Sequence, residues 1–285
     1  MNKLSVAVLM FAVCRAFSAV LEPTALNEVD HASVRVPLKL SIFSSHVEDI
    51  AMQEGVSFAE AAAKVRAAGI EGMTVMDGLA ADRLSAARNA GLAVVCVVGW
   101  PEFEKGYDEA KCEALVSLAV SNGCHQVMLV PGFYPSAAED AALFGVIVSR
   151  TRRFAAMAAA RGVETLVEDF DDERSPTCGI RRTKAFLEAA PSVGFVYDTG
   201  NFNSPGERAE SGLELLPRTR HFHLKDRPSG DSRGSCAVGS GVVPVAWIVS
   251  AARDAGYGGW FTIEHFGATN MLKCVKASAS FLRAL

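Results

Sequence analysis

From residue 38 onward the sequence alternates between short apolar runs of strand character and longer runs of helical character. Several helical runs end at glycine, as in SFAEAAAKVRAAG (57–69), where Ser57 and Glu60 also match a capping box. The strand-like runs are 38–44, 70–76, 92–100, 125–133, 163–170, 193–201, 220–226 and 258–266. Strict alternation of this kind indicates parallel strands joined by helices. Eight such units in 285 residues predict an α/β fold, a single-domain (β/α)8 TIM barrel.

An open, doubly wound sheet is the alternative arrangement for alternating strands and helices. It is disfavoured because no GxGxxG motif follows the first strand-like run. Half of the residues are hydrophobic, which suits a compact globular enzyme. The net charge of −4 offers no basic surplus for a phosphate backbone, so nucleic acid is not expected as a partner.

The first residues resemble a targeting segment rather than part of the fold. MNK supplies a positive start, LSVAVLMFAV is an apolar stretch too short to span a bilayer, and AFSA offers small residues for cleavage. We therefore expect a signal peptide at 1–18, a linker at 19–35 and the barrel at 36–285. An exported protein, periplasmic or secreted, follows if this signal is real, and a cytoplasmic one otherwise, with no stable membrane insertion after signal removal. Export would permit disulfides, but the cysteine spacings do not reveal a pairing.

Four acid or imidazole side chains stand at the ends of the last four strand-like runs. They are Glu168 in VETLVEDF, Asp198 in VGFVYDTGN, His223 in RHFHLKD and Glu264 in GWFTIEHF. Successive members are separated by 30, 25 and 41 positions, close to the length of a βα unit. Because active groups of such barrels come from the carboxyl ends of the strands, we expect the four side chains to converge.

Three carboxylates and one imidazole form a ligand set for a single divalent metal ion. The set favours Mn²⁺, Mg²⁺ or Co²⁺ and also accommodates Zn²⁺. A bound ion would polarise a substrate carbonyl and acidify the neighbouring C–H. Glu168 and Glu264, three strands apart, could flank the substrate and move its proton. Asp169 faces outward by strand alternation, and Asp171 and Asp172 lie beyond the strand.

Further residues are candidates for substrate binding. Lys225 shares a face with His223 and could stabilise a developing oxyanion, while His221 lies deeper on that face. Trp100 follows the third strand-like run and could stack on a sugar ring, and His46 follows the first. Plain packing remains the alternative for Trp100, and a local hydrogen bond or cap the alternative for His46.

The sequence resembles the xylose isomerase-like TIM-barrel superfamily, also called the sugar phosphate isomerase/epimerase family, over residues 36–285. The similarity rests on VEDF, YDTGN, HFHLKD, the closing FTIEH after AARDAGYGG and the glycine-rich turn VGSGVVP (238–244). HxKD and that turn are similar to the inosose dehydratase and sugar epimerase branches. The resemblance implies metal ligation by the four residues above, with His223 rather than His221 as the histidine. It also implies that Glu168 and Glu264 are the acid/base pair.

Two departures from the family pattern limit the assignment to a branch. Asn201 stands three residues after Asp198, where many members have histidine, so it can bind a substrate hydroxyl but not act as a base. Ser229 stands where the ketose 3-epimerase branch has arginine, although Arg227 is close. The endonuclease IV branch binds three metals through many histidines. This chain has six histidines and a pI near 5.9, which argues against that activity.

The sequence therefore predicts a metal-dependent isomerase or epimerase of a small sugar or cyclitol, acting by proton abstraction next to a carbonyl through a metal-bound enediolate. A dehydratase or lyase acting on a keto sugar or inosose would use the same first step. A non-catalytic barrel that binds metal or sugar is the third interpretation. A homo-oligomer is left open.

Overall fold

The computed structural model describes residues 37–202, 207–229 and 234–285. Within these ranges eight parallel strands close into a barrel in the order of the sequence, with β8 paired to β1. The strands are β1 (Lys39–Phe43), β2 (Gly72–Met76), β3 (Ala93–Gly99), β4 (Gln126–Leu129), β5 (Glu164–Glu168), β6 (Gly194–Asp198), β7 (Thr219–Lys225) and β8 (Trp260–Glu264). The predicted single-domain (β/α)8 barrel is confirmed.

Helices connect the strands and form the outer layer. They are α1 (Ser44–Glu54), α2 (Phe58–Ala67), α3 (Ala81–Asn89), α4 (Glu109–Ser121), α5 (Ala141–Ala159), α6 (Gly179–Ala189), a 3-10 helix (Ala209–Arg218), α7 (Val245–Asp254) and α8 (Met271–Arg283). The capping box at the start of α2 is present. The Ser57 hydroxyl accepts from the N–H of Glu60 at 3.2 Å, and the Glu60 carboxylate accepts from the N–H of Ser57 at 2.9 Å.

Two connections differ from the sequence expectation. The first strand is followed by α1, a helix that the alternation did not predict because its start has no side-chain cap. Buried Val47 and Ile50 and the left-handed Gly55 at its end are the signals that could have revealed it. Between β6 and β7, where strict alternation predicts an α-helix, the described residues form the 3-10 helix Ala209–Arg218 with Pro217 inside it.

Apolar side chains form two separate clusters, one on each side of the strands. The larger cluster lies between the barrel and the helices, where Leu40 and Phe222 are examples of fully buried strand residues. The smaller cluster includes Val98, Leu166 and Val196. Strand alternation puts Leu166 on the same face as Glu168, so this smaller cluster lines the barrel interior beneath the strand ends.

The signal peptide predicted at 1–18 and the linker at 19–35 lie outside the described residues and stay predictions. In the part of the chain that the structure describes, no helix has the length and apolar character needed to cross a membrane. The cysteines there are free thiols: Cys96, Cys112, Cys124, Cys178, Cys236 and Cys274.

Asp226 fixes the segment that follows β7. Its buried carboxylate accepts hydrogen bonds from four backbone N–H groups. The donors are Arg227 at 2.8 Å, Gly239 and Gly241 at 2.9 Å and Val243 at 3.0 Å. A Cβ at position 241 would lie 2.1 Å from the carbonyl oxygen of Arg227, which accounts for glycine there. One carboxylate thus folds the glycine-rich turn back onto the end of β7.

We expect Asp226→Asn to lower the free energy of unfolding by about 3 kcal/mol, because an amide nitrogen would face two N–H donors that now meet an oxygen. Urea unfolding of the full chain measures the loss. Asp254→Asn, the same change at an exposed position, should stay within about 0.5 kcal/mol of the wild type. Equal stability of the two variants would contradict this role for Asp226.

Candidate metal centre

The four residues singled out by their spacing meet at the carboxyl end of the barrel. Glu168, Asp198 and Glu264 are the last residues of β5, β6 and β8, and His223 lies two residues before the end of β7. One potential ligand atom from each side chain lies within 4.8 Å of the other three. All four side chains are buried. They converge because the inward-facing positions at the carboxyl ends of the strands of a closed barrel surround one axis.

His223 contacts two of the three carboxyl groups. Its Nδ1 lies within hydrogen-bonding distance of Glu168 Oε1 and 3.4 Å from Glu264 Oε2. Burial lowers the pKa of His223 to about 3, against an opposing effect of Asp198. The imidazole is therefore neutral near pH 7, the form in which histidine binds metals.

The ionised forms of the two glutamates are disfavoured in the folded protein. Burial raises the pKa of Glu168 well above its usual range, and Asp198 raises it further. Burial likewise raises the pKa of Glu264, with Lys225 opposing the change. A neighbouring cation would relieve both effects, because it favours the ionised carboxylates.

Lys225 supplies the positive charge within this cluster. Its Nζ lies 2.7 Å from Asp198 Oδ2 and 2.5 Å from Glu264 Oε1. It also donates to Asn201 Oδ1 at 2.8 Å, and Asn201 Nδ2 donates in turn to the carbonyl oxygen of Asp169 at 2.7 Å. Burial opposes the charged form of Lys225, but the carboxylates, Asp198 foremost, raise its pKa above the ordinary value.

Asp169 contacts the backbone of one of the four clustered residues, Asp198. Asp169 is not one of the four clustered residues, and its side chain is buried. Its Oδ1 accepts the backbone N–H of Asp198 at 2.9 Å. Burial raises the pKa of Asp169, and Asp198 and Glu168 add to that effect. Asp169 thus links the ends of β5 and β6.

His221 lies one layer deeper in the barrel and is not part of the cluster. Its Nε2 lies 2.6 Å from the Thr262 hydroxyl and its Nδ1 lies 3.0 Å from Gln126 Oε1. Both ring nitrogens are therefore engaged within the barrel. Its ring centroid is 5.6 Å from that of His223.

The residues present fit a divalent metal ion. The cluster contains three buried carboxyl groups, and Lys225 pairs with two of them, so the acidic groups exceed the lysine by two charges that one divalent cation would balance. Oxygen donors with one neutral imidazole suit Mg²⁺, Mn²⁺, Co²⁺ or Zn²⁺. Glu168, Asp198, His223 and Glu264 are the side chains that could hold the ion.

A cavity of about 430 Å³ opens above the cluster, a volume within the range of small-molecule sites. Glu168, His223 and Glu264 lie on its wall, together with Lys225 and Asn201. Trp100 also lines the cavity, half-buried beside Phe133 and Phe170. Six residues predicted for the site therefore line one cavity: Trp100, Glu168, Asn201, His223, Lys225 and Glu264.

His46 is placed elsewhere. It lies in the first turn of α1, is fully buried and is not among the described residues that line the cavity. Its Nε2 accepts the backbone N–H of His265 at 3.0 Å, and its ring packs edge-on against Phe266. The predicted contact between His46 and a substrate is not supported by this placement, because α1 turns the side chain toward the segment after β8. The local hydrogen bond was the alternative for this residue.

Sequence reasoning gave no site role to several residues of the cavity wall. Arg227 lines the cavity, donates from Nε to the carbonyl oxygen of Gly200 at 2.8 Å and pairs with Asp171 at 3.0 Å. Phe170 and Phe266 also line it. Phe170, Arg227 and Phe266 lie two positions beyond the predicted site residues Glu168, Lys225 and Glu264. Extending the strand period of two past the strand ends would therefore have identified them.

Comparisons with known proteins agree with this architecture. A family model described as "Xylose isomerase-like TIM barrel" matches residues 59–285. A search of the curated proteins gave no match. Three similar solved structures have sequence identities below 20%, and each is covered almost fully.

The first of these structures is the probable 3-DHS dehydratase AsbF involved in petrobactin synthesis from Bacillus anthracis, with 19% identity, 86% of this chain and 98% of that chain covered, and a TM-score of 0.71. The second is a xylose isomerase-like TIM barrel protein from Mycobacterium smegmatis in complex with magnesium, with 19% identity, 88% and 96% coverage, and a TM-score of 0.66. The third is D-psicose 3-epimerase with D-tagatose from Clostridium cellulolyticum H10, with 17% identity, 87% and 99% coverage, and a TM-score of 0.68.

Buried His46 predicts a pH dependence of stability. Burial first, and then the nearby His265, lower the pKa of His46 to about 3. As the pH falls from the ordinary value of 6.5 toward 3, the unfolded chain takes up a proton that folded His46 does not. In urea unfolding between pH 6.5 and 4.5, His46→Gln should therefore lose less stability than the wild type, by up to about 1.4 kcal/mol per pH unit.

Glutamine keeps an acceptor for the N–H of His265, so the comparison isolates the titration. His125→Gln, the same substitution at an exposed position, is the matched control for the change of residue type. Parallel profiles for His46→Gln and the wild type would contradict the neutral, buried state of His46.

Proposed function

Since the chain belongs to the xylose isomerase-like TIM barrel family, we propose that it is a divalent-metal-dependent isomerase or epimerase of a sugar or cyclitol. The observation that carries the proposal is the buried convergence of Glu168, Asp198, His223 and Glu264 beneath a cavity of small-molecule size. Similarity to D-psicose 3-epimerase supports it at the level of the fold.

We propose the same four residues as the ligands of one divalent ion. Mn²⁺, Mg²⁺ and Co²⁺ suit the donor set best, and Zn²⁺ is also accommodated. When bound, the ion would polarise the substrate carbonyl and make the neighbouring C–H more acidic. The magnesium complex of the M. smegmatis protein supports the assignment of a metal to this family.

Glu168 and Glu264 act as the acid/base pair in this proposal. Both carboxyl groups contact His223 Nδ1, one from β5 and the other from β8, and both line the cavity, so each can reach a substrate bound there. One carboxylate removes the proton next to the carbonyl, giving an enediolate. Return of a proton to the adjacent carbon gives isomerisation, and its return to the opposite face of the same carbon gives epimerisation.

Lys225 stabilises the negative charge that develops on the carbonyl oxygen. Its ammonium group lines the cavity and is held by Asp198, Glu264 and Asn201. A cation fixed in advance needs little rearrangement when the oxyanion forms. Both ends of the Asn201 amide are hydrogen-bonded, Oδ1 to Lys225 and Nδ2 to the carbonyl oxygen of Asp169. Asn201 therefore orients the lysine, and proton transfer is left to the glutamates.

Dehydration of a keto sugar or inosose is the second candidate. It begins with the same proton abstraction, after which the second glutamate, acting as an acid, protonates a departing β-hydroxyl. Similarity of the fold to the B. anthracis dehydratase favours keeping this candidate, and lyase chemistry would follow the same course with a glycosidic oxygen. A metal- or sugar-binding barrel without catalysis is the third.

Proton exchange in D₂O tests the proposal. The full chain, purified without chelator, is incubated with Mn²⁺ or Mg²⁺ and a panel of keto sugars and inososes, and ¹H NMR follows the signal next to the carbonyl. We expect exchange that EDTA abolishes. Glu168→Gln and Glu264→Gln should each slow it by about 100-fold or more, the usual contribution of a positioned acid or base.

Glu188→Gln, the same change at an exposed position, should leave the exchange rate unchanged. Metal content is measured for every variant, so that loss of the ion is separated from loss of the acid or base. An unsaturated product would identify the dehydratase. Exchange at the wild-type rate in both glutamine variants would refute the acid/base assignment, and a metal-loaded protein that exchanges no member of the panel would favour the non-catalytic barrel.

A further inference from the structure

The wall of the cavity is divided into a polar half and an apolar half. Strands β5 to β8 contribute the acids, the imidazole and the lysine, and Phe170 and Phe266 follow β5 and β8 at the edge of this half. The strands β1 to β4 and the residues that directly follow them contribute, in the described part of the wall, Phe43, Met76, Val98, Trp100, Met128 and Val130. Apart from the indole N–H of Trp100, these six side chains offer carbon and sulfur only.

The apolar half is continuous with the interior of the barrel. Phe43, Val98, Met128 and Val130 belong to the smaller apolar cluster and are almost completely buried. Met76 and Trp100 pack against that cluster and remain half-exposed. The apolar surface is therefore fixed by the strand ends themselves and does not depend on a loop.

Trp100 and Phe170 stand beside this surface in the cavity wall, and Phe133 packs against both rings. Trp100 stacks beside Phe133 with ring centroids 6.3 Å apart and meets Phe170 edge-on at 5.7 Å. Phe133 and Phe170 are also 5.7 Å apart, with rings at 66°. Trp100 and Phe170 line the cavity and are only partly buried, so ring surface of both remains for a ligand.

A free sugar or cyclitol does not complement such a wall. It carries hydroxyl groups around its whole ring, and those turned toward β1 to β4 would lose water without gaining hydrogen-bond partners from the described side chains. Stacking of one ring face on Trp100 would satisfy a small part of the surface. The rest requires a group that is apolar itself.

We propose that the substrate is a keto sugar or cyclitol that carries an aryl substituent. The polyol part lies over Glu168, Glu264 and Lys225, and the aryl group lies against Trp100 and Phe170. This assignment rests on the proposed function, since the chemistry at the polar half fixes which end is the sugar. Burial of the aryl ring and its edge and face contacts with the two aromatic residues supply the added affinity.

Binding of two model glycosides tests the proposal without requiring turnover. The full chain is titrated with phenyl β-D-glucopyranoside and with methyl β-D-glucopyranoside, and ligand-observed NMR gives both dissociation constants. We expect the phenyl glucoside to bind at least about tenfold more tightly, as burial of one aromatic ring implies. Trp100→Ala and Phe170→Ala should each reduce this ratio to about threefold or less.

Trp247→Ala removes an exposed tryptophan from α7 and should leave the ratio unchanged. Equal affinities of the wild type for the two glycosides, no measurable binding of either, or an unchanged ratio in both cavity variants would overturn the proposal. The ratio of the two dissociation constants is measured independently of proton exchange. A large ratio without exchange would count against the proposed reaction only, and exchange on small keto sugars with a ratio near one would count against the aryl substituent only.

Discussion

The burial of three carboxyl groups around one imidazole, all within 4.8 Å of one another, is the constraint on which the rest of this structure depends. Such a cluster is unfavourable by itself, because burial and mutual repulsion both oppose ionisation. The fold can hold it because each member is attached to a different strand of a closed parallel barrel. The strands are paired on both sides, so the side chains cannot easily move apart.

The surroundings of the cluster offset this cost. Lys225 brings a positive charge to Asp198 and Glu264, and Asn201 holds the lysine in place. Asp169 fixes the backbone of Asp198. Asp226, directly after Lys225, accepts hydrogen bonds from four backbone N–H groups. It thereby anchors the segment that contains Arg227, a residue of the cavity wall. Metal affinity and catalysis would both depend on these supporting contacts.

The sequence predicted the barrel and the four converging residues because both are consequences of periodicity. Strand and helix periods alternate along the chain, and the acids and the imidazole stand at equivalent places in the last four units. What strand periodicity could not reveal was α1, whose start lacks a capping side chain, and hence the orientation of His46 away from the cavity. Helix capping is a local interaction, whereas the contact between His46 and His265 joins residues 219 positions apart in the sequence.

The apolar half of the cavity was hidden for a different reason. Valine, methionine and phenylalanine at strand ends are indistinguishable in the sequence from ordinary core residues, and only closure of the barrel shows which of them face open space. The role of Asp226 is likewise visible only in three dimensions, since its donors include Gly239, Gly241 and Val243, well separated from it along the chain.

Titration with Mn²⁺ tests the central claim, that these four side chains form one metal site. Isothermal calorimetry of the chelator-treated full chain should give one ion per chain, and Asp198→Asn should weaken binding by about tenfold or more, because it replaces a charged ligand with a neutral amide without altering either proposed acid/base group. Asp254→Asn should bind as the wild type does. The absence of stoichiometric binding, or undiminished affinity in a folded Asp198→Asn protein, would contradict the account.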